Sequence, residues 1–335
     1  MPLTILGIET SCDETAAAVV QEDGTILSNV VLSQIKTHQP FGGVVPEVSA
    51  RNHLMALREV IQQALRESKT SLTQMDGVAA TCGPGLIGGV VVGAMMAKAM
   101  AAFHSKPFLA VNHLEGHALT ARLSHNVSFP YLLLLVSGGH TQLLEVKNVG
   151  DYKILGNTRD DAVGECFDKV AKMLHLPYPG GPAIEKIAMG GDSKKFSFPK
   201  PLSNPPTCDF SFSGLKTAVR YSLDKVRSLD DEKTHIAASF QETVAYILAS
   251  KVQLALDYSS LCTLVVAGGV ASNQKIRTAL QSLCQDKKVQ FIAPPIHLCT
   301  DNGAMIAWAG LENLRKGNVS SVDFMPRPRW PLGLG

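Results

Sequence analysis

The chain lacks the cysteine pattern of a disulfide-linked scaffold or a zinc ribbon. Its seven cysteines are an odd number, are irregularly spaced and form no C-x-x-C pair. This pattern is typical of reduced thiols, so we expect a cytoplasmic protein, or a mitochondrial one if the chain is organellar. The N-terminus has no basic segment, and Glu9, Asp13 and Glu14 interrupt its apolar residues. A secretory signal or transit peptide is therefore not expected.

The chain also lacks a long uninterrupted apolar run and a strong excess of one charge. The most apolar stretch, 86–103, is rich in Gly and Ala and contains Lys98, which favours a buried helix over a membrane span. Apolar residues make up 45% and charged residues 18% of 335 positions, enough for one large domain or two ordinary ones. The net charge of +2 neither indicates nor excludes a nucleic-acid partner, because a basic face can be local.

Strand-like and helix-like segments alternate along the chain, which predicts an α/β architecture. Residues 3–20 and 131–146 share one layout: a strand, a polar turn and a second strand, followed by a third strand-like piece and then helices. This repeat of pattern predicts two lobes, the first from 1–127 plus 301–325 and the second from 128–300. A proline-rich stretch at 198–206 predicts a surface excursion.

Two histidines one helical turn apart, His113 and His117, follow a predicted strand at 108–111. Asn112 stands where a helix N-cap is expected. Positions four apart on a helix differ by about 40° around its axis, so both imidazoles can face one metal ion. A metal-dependent hydrolase and a metal-assisted transferase both fit this pair.

The residues around the pair narrow these alternatives. Zinc metalloproteases carry H-E-x-x-H, whereas Glu115 lies about 200° from His113 around the helix and is predicted to point away from a metal. This argues against a protease. Asp301 is a candidate third ligand, since two histidines and one carboxylate leave coordination positions open. The alternative is that Asp301 caps the helix beginning at Asn302, and the sequence leaves both possibilities open.

Two glycine-containing turns have the composition of anion-binding loops. Residues 137–141 (SGGHT) allow close backbone approach to a phosphate, and 267–273 (AGGVASN) precede a predicted helix. An ordinary hairpin turn is the alternative for the first, and no P-loop motif is present. Asp168 lies in a predicted helix, where an acid is usually just solvated on the helix face. Asp13 and Glu14 lie in the first predicted hairpin turn. They could face a metal or a nucleophile, and the alternative is that the turn is solvated.

Ten segments in order carry a resemblance to a known family: 7–15, 42–47, 83–86, 113–117, 136–141, 164–170, 179–182, 210–217, 268–273 and 301–304. Over nearly its whole length the chain resembles the TsaD family of tRNA N6-adenosine threonylcarbamoyltransferases, formerly described as O-sialoglycoprotein endopeptidases. The block at 210–217 (FSFSGLKT) resembles the bacterial or organellar branch.

The resemblance implies the two-lobed actin-like ATPase fold, also called ASKHA, with duplicated RNase H-like domains. It implies that His113, His117 and Asp301 bind one divalent metal, Fe²⁺ first and Zn²⁺ as the alternative. It also implies contacts to the ATP/AMP moiety of the substrate from Val136, Ser137, Gly138, Gly139, His140, Asp168, Gly181, Glu185 and Asn273. Many relatives carry Asp where this chain has Glu185, which weakens that one assignment.

The implied reaction transfers threonylcarbamoyl from threonylcarbamoyl-AMP to N6 of adenosine 37 in tRNAs reading ANN codons, and releases AMP. Asp13, Glu14 and His140 are candidates for positioning the amine or accepting its proton. The resemblance implies tRNA, TsaB-type and TsaE-type proteins as partners, substrate from a TsaC-type synthase, a possible homodimer and no membrane. The alternatives are a metalloprotease and an actin-like ATPase without transferase activity.

Overall fold

The computed structural model describes residues 2–203 and 207–333, so the end of the proline-rich stretch lies outside the described residues. The strands are β1 Thr4–Glu9, β2 Glu14–Gln21, β3 Ile26–Ser33, β4 Gly77–Gly83, β5 Phe108–Asn112, β6 Tyr131–Val136, β7 Thr141–Asn148, β8 Asp151–Asn157, β9 Thr263–Ala267 and β10 Gln290–Ile292. The helices are α1 Ile35–His38, α2 Pro46–Ser68, α3 Ile87–Phe103, α4 His113–His125, α5 Val163–Met173, α6 Gly180–Ala188, α7 Ser213–Leu223, α8 Leu229–Tyr258, α9 Gln274–Lys287, α10 Ile296–Cys299 and α11 Gly303–Arg315.

The described residues form two compact units. The first contains the described parts of 1–127, 148–151 and 300–335, and the second those of 128–147 and 152–299. The helix α11, which comes last in the chain, therefore belongs to the first unit.

Each unit is built around one five-stranded mixed sheet. The strand orders are β3-β2-β1-β4-β5 in the first unit and β10-β9-β6-β7-β8 in the second. In both sheets the first strand of the unit pairs antiparallel with the second and parallel with the fourth. Read from opposite edges, the two orders are the same, so the repeated sequence pattern corresponds to a duplicated arrangement of strands.

The apolar stretch at 86–103 forms α3, as predicted, but it is buried on one face only. Val90, Ala94 and Ala97 are fully buried, whereas Val91 and Met95 are 39% and 54% exposed. The small residues pack because α3 lies against the sheet and α2. Among the described residues, no helix has both the length and the apolar character needed to cross a membrane.

Two features of the first unit position the candidate site. The parallel strands β4 and β5 end at the same edge of the sheet, and β5 runs directly into α4. α11 packs beside α4 at Gly116, where an added Cβ would lie 2.9 Å from Cδ1 of Ile306. The glycine between the two histidines therefore allows α11 to approach the helix that carries them.

Candidate metal centre and anion-binding turns

The helix carrying the histidine pair begins where the sequence predicted. The side chain of Asn112 accepts a hydrogen bond of 2.9 Å from the backbone N–H of Leu114, so the predicted N-cap is confirmed. This cap places His113 at the first position of α4 and His117 one turn later. Both histidines are buried, at 8% and 1% exposure.

The two imidazoles meet a carboxylate at the start of α11. Nε2 of His117 lies 3.1 Å and Nε2 of His113 lies 3.5 Å from Oδ1 of Asp301. The ring centroids are 4.8 Å apart and the ring planes are nearly perpendicular, at 88°. One ligand atom from each residue lies within 4.8 Å of the others. Two neutral nitrogen donors and one carboxylate suit a divalent transition metal with open positions.

The alternative role for Asp301 as a helix cap is wrong. Asn302 is the N-cap of α11, and its Oδ1 accepts a hydrogen bond of 3.0 Å from the backbone N–H of Met305. Because the amide side chain satisfies the helix end, the carboxylate one residue earlier lies against the histidines. Asn302 is fully buried, so this arrangement is fixed inside the first unit.

We expect Asn302→Ala to destabilise the protein and weaken the cation site together. Loss of an N-cap costs about 0.5–2 kcal/mol of unfolding free energy, and the start of α11 holds Asp301. Asn302→Asp restores an oxygen acceptor and serves as the matched control. Urea unfolding and Zn²⁺ titration of both variants test this, and an alanine variant with unchanged stability would contradict the capping role.

A buried carboxylate that the sequence analysis did not select orients His113. Glu9, the last residue of β1, is fully buried, and its Oε2 lies 2.9 Å from Nδ1 of His113. The same oxygen accepts from the Thr81 hydroxyl, and Oε1 accepts from the Ser11 backbone N–H. A carboxylate only accepts, so in the neutral imidazole Nδ1 carries the proton and Nε2 keeps the lone pair that a metal would bind. The available signal in the sequence was an acid at the end of a mostly apolar strand.

The electrostatics of this cluster favour a cation. Burial alone would lower the pKa of His113, but the carboxylates of Asp301 and Glu9 outweigh it and raise that pKa to about 9. For the acid Glu9, burial alone would raise the pKa, but the nearby charge and hydrogen bond of His113 lower it. The two acids that stabilise a proton on the imidazole would also stabilise a divalent cation in contact with it.

Glu115 has a structural role on the other side of α4. Its Oε1 accepts from the backbone N–H of Gly150 at 3.2 Å, and its Oε2 accepts from Nδ2 of Asn313 at 3.1 Å. The carboxylate therefore ties α4 to residues 148–151 and to α11. The spacing predicted that Glu115 would point away from a metal, and the structure agrees: Glu115 does not take the position of a metalloprotease base.

The turn between β1 and β2 is buried rather than solvated. Asp13 is 8% exposed, which contradicts the alternative of a solvated acid. Burial, with the nearby charges of Asp301 and Asp13, raises the pKa of Glu14 well above its ordinary value. Burial and the charge of Asp13 likewise raise the pKa of the Cys12 thiol, so Cys12 is not an activated nucleophile.

In the second unit, residues 137–140 form a tight turn between β6 and β7. The Ser137 backbone N–H donates to the His140 carbonyl at 2.8 Å, and the His140 N–H donates to the Ser137 hydroxyl at 3.1 Å. Gly138 and Gly139 form its tip, where an added Cβ would meet open space. Behind the turn, Gly164 donates its N–H to the Ser137 carbonyl at 3.2 Å. Residues 137–140 therefore form the hairpin turn that was one alternative, and its open tip still leaves room for an anion.

Asp168 is tied to the turn that precedes α6. Its Oδ1 accepts a hydrogen bond of 2.7 Å from the backbone N–H of Gly180, so the alternative of a merely solvated acid is wrong. One oxygen of the carboxylate therefore holds Gly180, the first residue of α6, and Gly181 is the next residue of that helix. Contact of either residue with a nucleotide stays a prediction.

Glu185 and Asn273 come together at the start of α9. Oε1 of Glu185 accepts a hydrogen bond of 2.6 Å from the backbone N–H of Gln274. Asn273 is the N-cap of α9, with Oδ1 accepting from Ile276 N–H at 3.1 Å and Nδ2 donating to Gln241 at 2.9 Å. Glu185 and Gln274 line a cavity of about 640 Å³. The Asn273 side chain is held by the protein, so its predicted nucleotide contact gains no support from this geometry.

Comparison with solved structures identifies the fold. HypF from T. kodakarensis has a TM-score of 0.63 at 15% identity, over 95% of this chain and 48% of that one. An activator of 2-hydroxyisocaproyl-CoA dehydratase from Clostridium difficile has a TM-score of 0.55 at 14% identity, over 96% and 99%. The fold is the actin-like ATPase fold with a two-histidine, one-carboxylate cluster in its first unit.

Sequence comparison then identifies the family. Residues 25–308 match TsaD, described as tRNA N6-adenosine threonylcarbamoyltransferase. Proteins of that name from Brucella canis and Brucella melitensis biotype 2 are 57% and 56% identical, over 98% of this chain and 95% of theirs. The chain belongs to the TsaD family, so the resemblance seen in its motifs is confirmed.

Proposed function

We propose that the chain transfers threonylcarbamoyl from threonylcarbamoyl-AMP to N6 of adenosine 37 in tRNA, and that His113, His117 and Asp301 hold one divalent metal for this reaction. Family membership supports the reaction. The observation that carries the metal assignment is the convergence of three ligand atoms within 4.8 Å in a buried, carboxylate-rich setting. Fe²⁺ is the expected metal and Zn²⁺ the alternative, since both accept imidazole and carboxylate ligands.

The metal, when bound, supplies Lewis-acid polarisation of an oxygen of the acyl donor. The chain's own residues do the rest. The amine nitrogen attacks the carbamoyl carbon, its C–N bond forms, the bond from that carbon to the AMP oxygen breaks, and the amine loses a proton. Asp13, Glu14 and His140 are the proposed proton acceptors or positioning groups. The raised pKa of Glu14 favours its neutral form, which suits a hydrogen-bond donor better than a base.

We assign binding of the AMP moiety to residues of the second unit. In the turn of Val136, Ser137, Gly138, Gly139 and His140, the Ser137 and His140 N–H groups bond within the turn, so the N–H groups of Gly138 and Gly139 are the proposed phosphate donors. Asp168, Gly181, Glu185 and Asn273 are the proposed contacts to ribose and base. For Glu185, the cavity that it lines with Gln274 supports such a contact. The side chain of Glu185 is longer than the Asp of many relatives, and its carboxylate reaches the start of α9.

We further propose that a TsaB-type protein docks on the apolar face of α3, with a TsaE-type protein in the same assembly and a TsaC-type synthase supplying the acyl-adenylate. Ile87, Val91 and Met95 repeat every four residues along α3 and are 49%, 39% and 54% exposed. On α2, Leu54 and Met55 are 70% and 84% exposed. Helix faces of this kind are typical of protein interfaces, and a homodimer is the competing occupant. A cytoplasmic location fits these partners.

Reconstitution tests the reaction. The full-length chain, alone and with TsaB-type and TsaE-type proteins, is incubated with threonylcarbamoyl-AMP and unmodified tRNA, and the nucleosides are analysed by mass spectrometry. We expect threonylcarbamoyladenosine and stoichiometric AMP. Absence of the modified nucleoside in every combination would overturn the proposed function, whereas product from the chain alone would overturn only the need for partners.

A further inference from the structure

The segment 324–330 (FMPRPRW) docks along the sheet edge that carries the candidate metal centre. The backbone N–H of Arg327 donates to the Cys82 carbonyl at 2.7 Å, and Gly85 N–H donates to the Pro328 carbonyl at 3.2 Å. Nδ2 of Asn112 donates to the Trp330 carbonyl at 2.8 Å. Asn112 directly precedes His113, so this segment, which we call the tail strap, contacts the start of the metal-binding helix.

The tail strap is held rigidly. Gly83 has φ of +130°, and an added Cβ there would lie 1.7 Å from the Arg327 carbonyl oxygen. The ammonium of Lys98 donates to the Phe324 carbonyl. Phe324 and Trp330 pack against the apolar core of the first unit. The Gly-Pro-Gly turn at 83–85 therefore serves to seat the strap.

The strap presents two exposed arginines and contains no acid. The guanidinium carbon of Arg327 lies 5.0 Å from the ring centroid of Phe324 and 5.4 Å from that of Trp330. Stacking on two rings limits the rotamers of Arg327 while its side chain stays exposed, so less entropy is lost when it binds an anion. Arg329, two residues later and also exposed, adds a second positive charge.

We propose that the tail strap binds the tRNA anticodon loop through Arg327 and Arg329, which contact backbone phosphates. This rests on the proposed function, because tRNA is the substrate of the family's reaction. Single-stranded RNA loops are bound by guanidinium groups and by aromatic rings, and here Arg327 stacks on two half-buried rings. The docking of the strap next to Asn112 places these charges at the end of the sheet where α4, the helix of the two histidines, begins.

The test is binding of an anticodon stem-loop RNA, measured by fluorescence anisotropy at several salt concentrations, with full-length chain and its TsaB-type partner. We expect Arg327→Gln/Arg329→Gln to weaken binding at least about tenfold. The slope of log affinity against log salt should be shallower by about 1.4, from two contacts at about 0.7 each. Arg327→Lys should retain most of the salt slope because it keeps the charge.

The matched control is Lys225→Gln/Arg227→Gln, which removes the same charge from exposed positions after α7 in the second unit. Equal weakening in both double variants would overturn the proposal, since it would show only a general charge effect. Unchanged RNA binding together with lost binding of the protein partner would also overturn it. If the reconstituted wild type modifies tRNA but binds the stem-loop no better than the strap variant, the strap proposal fails while the reaction stands. Unchanged Zn²⁺ affinity in the strap variant excludes a disturbed metal site.

Discussion

Replacing His113 with alanine is expected to remove the bound metal and reduce threonylcarbamoyladenosine formation at least about a thousandfold. The loss follows from Lewis-acid stabilisation worth several kcal/mol, at tenfold in rate per 1.36 kcal/mol. With His117 and Asp301 alone, one of the three ligands is missing. Metal content by mass spectrometry and nucleoside analysis of tRNA measure the two effects.

The variant should remain folded but less stable. His113 is the partner of the buried Glu9 carboxylate, and loss of a partner from a buried polar group costs about 1–3 kcal/mol. His125→Ala is the matched control, because His125 is the last residue of the same helix and is exposed. Full transferase activity in His113→Ala, with the metal absent, would refute the assignment of the metal to the reaction.

The histidine pair was predictable because helical periodicity alone brings positions four apart onto one face. The third ligand was only partly predictable. Asp301 and Asn302 are both good capping residues, and sequence offers no way to tell which oxygen turns back to the helix. The answer depends on α11 packing against α4 at Gly116, which is a contact between segments nearly two hundred residues apart.

Glu9 and the tail strap lay beyond the sequence analysis for a related reason. A lone acid at the end of an apolar strand indicates only where the strand ends unless its partner is known. Here the partner is His113, about a hundred residues away. The Gly-Pro-Gly turn at 83–85 similarly looks like a local turn. Its glycine requirement comes from the backbone of Arg327, which approaches from the end of the chain.

The second large effect is expected from Glu9→Gln, a change that keeps the size of the side chain. Oε2 of Glu9 accepts from Nδ1 of His113, and an amide nitrogen at that position would donate to Nδ1 instead. The ring proton would then move to Nε2, which faces Asp301 and must be unprotonated to bind a metal. We expect Zn²⁺ affinity to fall about 10–100-fold, the range found for partners of metal-bound histidines. Competition with a chromophoric chelator measures it.

The control for this experiment is Glu115→Gln. Glu115 is equally a buried acid, on the helix of the metal ligands, but its oxygens accept from Gly150 and Asn313 rather than from an imidazole. It should lose stability without a comparable loss of Zn²⁺ affinity. A tautomer effect also predicts that Glu9→Asp, which still only accepts, binds Zn²⁺ more tightly than Glu9→Gln despite its shorter reach. The Ser11 hydroxyl also lies 3.1 Å from Nδ1 of His113, so equal affinity of Glu9→Gln and wild type would show that Ser11 or the metal itself sets the ring orientation.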